Sequence, residues 1–208
     1  MSEPEVQYDS IERQHATARL GIWVFLGSEL LLFAGLLTLF AAYRFQYPAE
    51  FRAASAHANV LIGTVNTYVL LTSSLAVALA IHAARHGHRR RIVMFLAITI
   101  ALGIAFDVLK GVEYAKHLSE GIAPGHYYSF GELPAHGAVL YFTLYYLLTG
   151  LHAIHVTGGL VVLGWLALKA RRGDFTPSSH IQLELGGLYW HFVDVVWLFL
   201  WPLIYLIR

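Results

Sequence analysis

The chain has 208 residues, 57% hydrophobic and 14% aromatic, and only 13% are charged. A soluble domain of this size carries about a quarter charged residues, so most of this surface faces something other than water. A net charge of +1 gives no footprint for nucleic acid or an acidic substrate. The absence of cysteine excludes disulfides, thiolate metal sites, Fe–S clusters and cysteine nucleophiles.

Residues 1–19 read as a polar N-terminal tail of mixed charge. Glu3, Glu5, Asp9 and Glu12 are wrong for the basic start of a signal peptide, so the first apolar stretch is expected to stay as an anchor. Five stretches then approach the ~20 apolar residues that a bilayer crossing takes. They are Leu20 to Tyr43, Val60 to Ala84, Ile92 to Leu109, Ala138 to Leu168 and Gly186 to Ile207. The third is short but can run on as helix through Lys110 to Leu118, and the fourth is long enough to tilt or project. Polar breaks separate them at Arg44 to Asn59, Arg85 to Arg91, Lys110 to Gly137 and Lys169 to Leu185. Pro124, Gly125 and Pro134 mark the third break as loop. With no repeat in sight, the expected fold is all-α: a polytopic membrane bundle of about five transmembrane helices, one domain over residues 20–208.

Orientation follows from Lys and Arg. Arg13, Arg19, Arg85, Arg89, Arg90, Arg91, Lys169, Arg171 and Arg172 fall on one side. Arg44, Arg52, Lys110, Lys116 and Arg208 fall on the other. Nine against five predicts a cytoplasmic N-terminus and a C-terminus outside.

Ionisable groups at bilayer depth cost on the order of 2.5–3.5 kcal/mol and need a reason. Glu29, inside GSELLLFAGLL, is either a proton-transfer site or a carboxyl held at a helix contact, and the second reading is favoured. His152 and His155 are three apart in TGLHAIHVTGG and share a helix face. Two imidazoles could ligate metal or haem. By helical rise His155 lies roughly 20 Å from the cytoplasmic helix end and His191 roughly 8 Å, which argues against a shared haem. Hydrogen bonds to neighbouring helices or lipid heads are the favoured reading, and Thr149, Ala153 and Thr157 form a ridge suited to close packing.

The last helix offers His191 and Asp194, three apart, as an imidazole–carboxylate pair. Ser28, Ser73 and Ser74 sit in no strained elbow, so no hydrolase is indicated. Glu113, with Asp107 and Tyr114 near the outer surface, is expected to pair with a neighbouring Lys or Arg. His82, His86 and His88 beside Arg89 to Arg91 read as a surface metal site or, preferably, as a solvated loop drawn to anionic lipid heads. No P-loop, Rossmann fingerprint or zinc motif occurs.

These motifs together resemble subunit III of the haem-copper terminal oxidases, in its shorter five-helix form. Glu184 followed by YWHFVDVVW (Tyr189 to Trp197) is similar to that family's closing signature. TGLHAIHVTGG, GSELLLFAG around Glu29 and, more weakly, KGVEY (Lys110 to Tyr114) follow in the family's order. The resemblance implies a subunit that is non-catalytic by itself within a cytochrome c oxidase-type enzyme complex, a proton-translocating oxidoreductase of aerobic electron transport. It implies no catalytic, cofactor or metal residue in this chain, with haem and copper in partner subunit I, where oxygen is reduced. Subunit I and subunit II are the implied partners, together with membrane phospholipid bound in a cleft. The implied location is the bacterial plasma (inner) membrane. Glu29, Glu113, His152, His155, Glu184, His191 and Asp194 become structural or lipid-contact residues by that analogy.

The departure is N-terminal: longer members carry two further helices that help form the lipid cleft. Alternatives are an accessory subunit of a quinol oxidase or nitric oxide reductase, a stand-alone proton-coupled transporter using Glu29 and the histidines, and a membrane cytochrome. The transporter predicts activity in liposomes without partners, and the cytochrome predicts a Soret band.

Overall fold

The computed structural model describes residues 10–133, 136–177 and 179–206. Pro134, Arg208 and residues 1–9 of the 1–19 tail lie outside the described residues.

Helix α1, Ile11–Gln46, starts at Ser10, whose hydroxyl accepts from the Arg13 N–H at 3.2 Å, and has Glu12 in its first turn and Arg44 in its last. It therefore begins nine residues before the apolar stretch that anchors it. At about 1.5 Å per residue its 36 residues reach roughly 54 Å, well beyond the ~30 Å of hydrocarbon. Tyr47 breaks the helix because the residue before a proline is pushed out of the α region, and Pro48 then opens α2, Pro48–Ser55. The apolar pattern did not reveal α2, which is only two turns long and is held by burying Phe51 and Ala54.

Helix α3, Val60–Arg85, is capped by the Asn59 side chain accepting from the Ile62 N–H, and Gly87 at φ +70° turns the chain into α4, Arg89–Ser119. The continuation of the third span past Lys110 is therefore real. The loop after α4 starts at Gly121, φ +83°, with a short 3-10 turn at Gly125–Tyr127. Helix α5, His136–Arg172, ends at Gly173, φ +91°, and α6 is Ile181–Tyr205. Five of the six α-helices are long and apolar enough to cross a membrane. The described residues form an all-α membrane bundle, with no strand beyond a single bridge between Thr176 and Ser179.

Helices α3, α4, α5 and α6 pack in a ring, each on the next. Trp190 of α6 sits at its centre, fully buried, its indole N–H donating to Ser73 Oγ of α3 at 3.0 Å. Gly103 of α4 and Gly159 of α5 face it so closely that a Cβ on either would stand 2.8 Å from the indole ring. Small residues opposite large aromatics let these backbones approach. One turn or two further along α6, Trp197 donates to Thr67 at 3.1 Å and lies edge-on to Phe106.

Helix α1 docks on α5 and α6 outside the ring. Its buried residues are Leu26, Phe33 and Phe40, spaced by seven, so a single seam attaches it. Leu20, Trp23, Val24, Leu31 and Phe45 stay exposed, as suits a lipid-facing helix.

Candidate functional site

The ionisable residues of the interior fall into separate clusters between different helices. Glu29 Oε2 of α1 lies 2.9 Å from His155 Nε2 of α5, with the side chains 18% and 12% exposed. The other imidazole nitrogen, Nδ1, is 2.8 Å from the Leu151 carbonyl, which only accepts, so Nδ1 carries a proton. The Glu29–His155 bond then needs one further proton between its two heavy atoms: either a carboxylic acid donating to a neutral ring, or an imidazolium donating to a carboxylate. The Tyr189 hydroxyl donates to the His155 carbonyl at 3.0 Å and Phe33 packs on the ring. This couple is a polar tie between the peripheral helix and the ring.

His152, one turn earlier, points elsewhere. It is fully buried between Phe106 and Trp197, with ring centroids 5.5 and 5.1 Å away, and neither nitrogen has a hydrogen-bond partner among the described residues. The histidines read as one pair by spacing thus serve two different contacts. The Thr149–Thr157 ridge meets α4: the Tyr114 and Thr149 hydroxyls are 2.6 Å apart and Thr157 donates to Asp107 at 3.2 Å.

On α6, His191 Nδ1 bonds to Ser74 Oγ of α3 at 2.7 Å rather than to Asp194. Asp194 is 4% exposed with both oxygens short of a hydrogen bond, the Ser74 hydroxyl being a polar neighbour. The imidazole–carboxylate pair that the spacing allows is not formed. Asn66 of α3 is likewise buried and unbonded. Among the described residues no group of three or more His, Asp or Glu side chains is gathered as a metal site.

Glu113 pairs with a cation, as the sequence suggests, but the partner lies deep in the bundle. Lys110 Nζ is 2.8 Å from Glu113 Oε2, with the side chains 2% and 1% exposed. It also donates to the Tyr145 and Tyr205 hydroxyls at 3.0 and 2.8 Å, while Tyr205 donates back to Glu113. Lys110 was counted above as a loop charge, which its burial overturns. The i,i+3 spacing of Lys110 and Glu113 within a continuing helix was the available signal.

Glu184 opens α6 at the opposite end, bonded to Arg85 of α3 at 2.9 Å, with His180 at 3.2 Å and Arg19 of α1 at 3.7 Å. Arg89 of α4 donates to the Arg171 carbonyl of α5. These contacts gather the nine basic residues' helix ends, apart from Arg13, at one end of the bundle.

Between α1 and α6 runs an apolar groove of about 460 Å³, lined by residues including Trp23, Leu30, Phe33, Leu188, Val195 and Phe199. Trp23, Leu188 and His191 continue it into a recess of about 280 Å³ beside Arg19, Arg85 and Glu184. A long greasy slot with a charged mouth is legible only in three dimensions.

The model of the cytochrome c oxidase subunit III family matches residues 3–207. The chain belongs to that family. A probable cytochrome c oxidase subunit 3 of Mycobacterium bovis is 31% identical over 189 residues, covering 91% of this chain and 87% of the relative. Cytochrome c oxidase subunit 3 of Synechocystis is 32% identical over 188 residues, covering 90% and 74%. Quinol oxidase subunit 3 of Bacillus subtilis is 30% identical over 204 residues, covering 94% and 91%.

Proposed function

We propose that this chain is the non-catalytic subunit III of a haem-copper respiratory oxidase in a bacterial plasma membrane. It packs on subunit I, which carries haem and copper, in a complex that also holds subunit II. It supports assembly and sustained proton uptake and holds phospholipid. The observation that carries this reading is the family match across residues 3–207. Quinol oxidase relatives favour a second version in which quinol replaces cytochrome c as donor, the difference residing in the partner subunits. Native purification tests both: a haem- and copper-bearing chain is expected to travel with this one, and recovery as a lone stable oligomer would overturn the proposal.

The groove between α1 and α6 supports the lipid role, because its acyl-sized apolar length ends at Arg19 and Arg85, where a phosphate would sit. Glu29→Ala removes the α1–α5 bond and is expected to weaken seating of α1 by about 1–3 kcal/mol. The complex should keep its haem spectrum yet lose activity progressively during turnover. A changed haem spectrum would count against a supporting role.

The end bearing Arg19, Arg85 and Arg89–Arg91 is taken as cytoplasmic. Since the chain has no cysteine, single cysteines can report this. Arg90→Cys should react with impermeant maleimide only from the cytoplasmic side and Glu132→Cys only from outside.

A further inference from the structure

A separate basic recess lies on the α3–α4 hairpin, away from α1. It holds about 360 Å³ between His82 and His86 of α3, His88 of the turn, and Arg91 of α4, and its floor is Leu79, Met94 and Phe95. All the titratable or charged groups lining it are basic: three imidazoles and one guanidinium. His86 stacks on His88 with 6.2 Å between centroids, and its Nδ1 donates to the His82 carbonyl at 2.9 Å. Its Nε2 can therefore donate to an anion only when the ring carries both protons.

Three other cations at this end are engaged: Arg85 with Glu184, Arg89 with the Arg171 carbonyl and Lys169 with Gln182. Among the described residues no carboxylate pairs with Arg91. Helix α4 also starts with three arginines, no acid in its first turn and no side-chain cap. Its positive dipole end thus meets positive charge, an arrangement that an anion relieves.

The vertical order of the recess selects the anion. His88 stands at the hairpin tip, and Arg91 and His82 lie about a turn deeper. Met94, Phe95 and Leu79 follow about another turn, some 5 Å, further in. Leu79 and Met94 remain 38% and 49% exposed. Charge above an exposed apolar floor is the profile of a phospholipid, and a free phosphate has no use for the floor. We propose that this recess binds the phosphate of an anionic phospholipid, with the acyl chain lying over Leu79, Met94 and Phe95. The site requires only that the hairpin end lie at the headgroup level. It does not depend on the identity of the oxidase partners or on the α1–α6 groove.

The test uses the complex purified with its partners and reconstituted in phosphatidylcholine membranes containing a photoactivatable phosphatidylglycerol or, separately, a photoactivatable phosphatidylcholine. Crosslinks are mapped by peptide mass spectrometry. The phosphatidylglycerol probe should label residues 79–95 about fivefold more than the phosphatidylcholine probe. Arg91→Gln with His88→Gln should abolish the difference while leaving labelling of the α1–α6 groove unchanged, which also shows that the variant has folded. Equal labelling by the two probes overturns the proposal, as does full labelling of the variant. Loss of the phosphatidylglycerol signal on adding millimolar inorganic phosphate would identify a free-phosphate site and overturn the lipid assignment.

Discussion

Replacing Lys110 with methionine is expected to destabilise the bundle by about 3–5 kcal/mol, because it strands the Glu113 carboxylate in a buried site. An ammonium has three N–H donors, and here each has an acceptor: Glu113, Tyr145 and Tyr205. Rings of Tyr114, Tyr145, Trp197 and Tyr205 stand 4.7–5.6 Å from the nitrogen and add cation–π attraction. The cluster joins α4, α5 and α6 at the C-terminal end of α6. Removing both charges is different, since a neutral replacement of a buried pair is often well tolerated. Lys110→Met with Glu113→Gln should therefore recover most of the loss. Thermal unfolding of the purified chain in detergent, read by circular dichroism, compares the three proteins. A single variant no less stable than the double would mean that the pair does not carry buried charge.

Trp190→Ala is expected to cost about 3–5 kcal/mol, the range for emptying a buried tryptophan site. The indole meets all three other ring helices: Ser73 of α3, Gly103 of α4 and Gly159 of α5. Its loss also leaves the Ser73 hydroxyl without that donor. Gly159→Ala forces a methyl to within 2.8 Å of the ring and should cost about 1–3 kcal/mol by overpacking. The two changes should not add: with Trp190 absent, the alanine at 159 has room and its penalty should shrink. The same detergent unfolding assay measures this cycle. Additive losses would show that the glycine and the indole are not in the close contact described.

Much of the fold is legible in the sequence because a membrane imposes a one-dimensional rule. Each crossing needs about 20 apolar residues whatever its neighbours are, so five apolar stretches become five helices, with ends displaced by a few residues to a turn or two. The motifs around Glu29, His152 and Glu184 carry the family for a related reason: local residue types at set spacings survive without knowledge of packing. The pairing of Glu113 with a cation was also accessible, since an intramembrane acid needs a partner.

Which partner each side chain finds is another matter. His152 and His155 share a face in projection, yet one enters an aromatic interior and the other crosses to Glu29, because α5 is touched by different helices on adjacent edges of that face. His191 chooses Ser74 over Asp194 for the same reason.

The sequence by itself determined the five membrane helices, the exclusion of cysteine chemistry and the oxidase subunit III kinship. Only the tertiary structure decided that Lys110 is a buried ion-pair partner and not a loop charge, that α1 hangs on one seam, and that grooves open beside it. The physical reason is that hydrophobicity sums along one helix, whereas a hydrogen bond, an ion pair or a groove exists only where two helices meet.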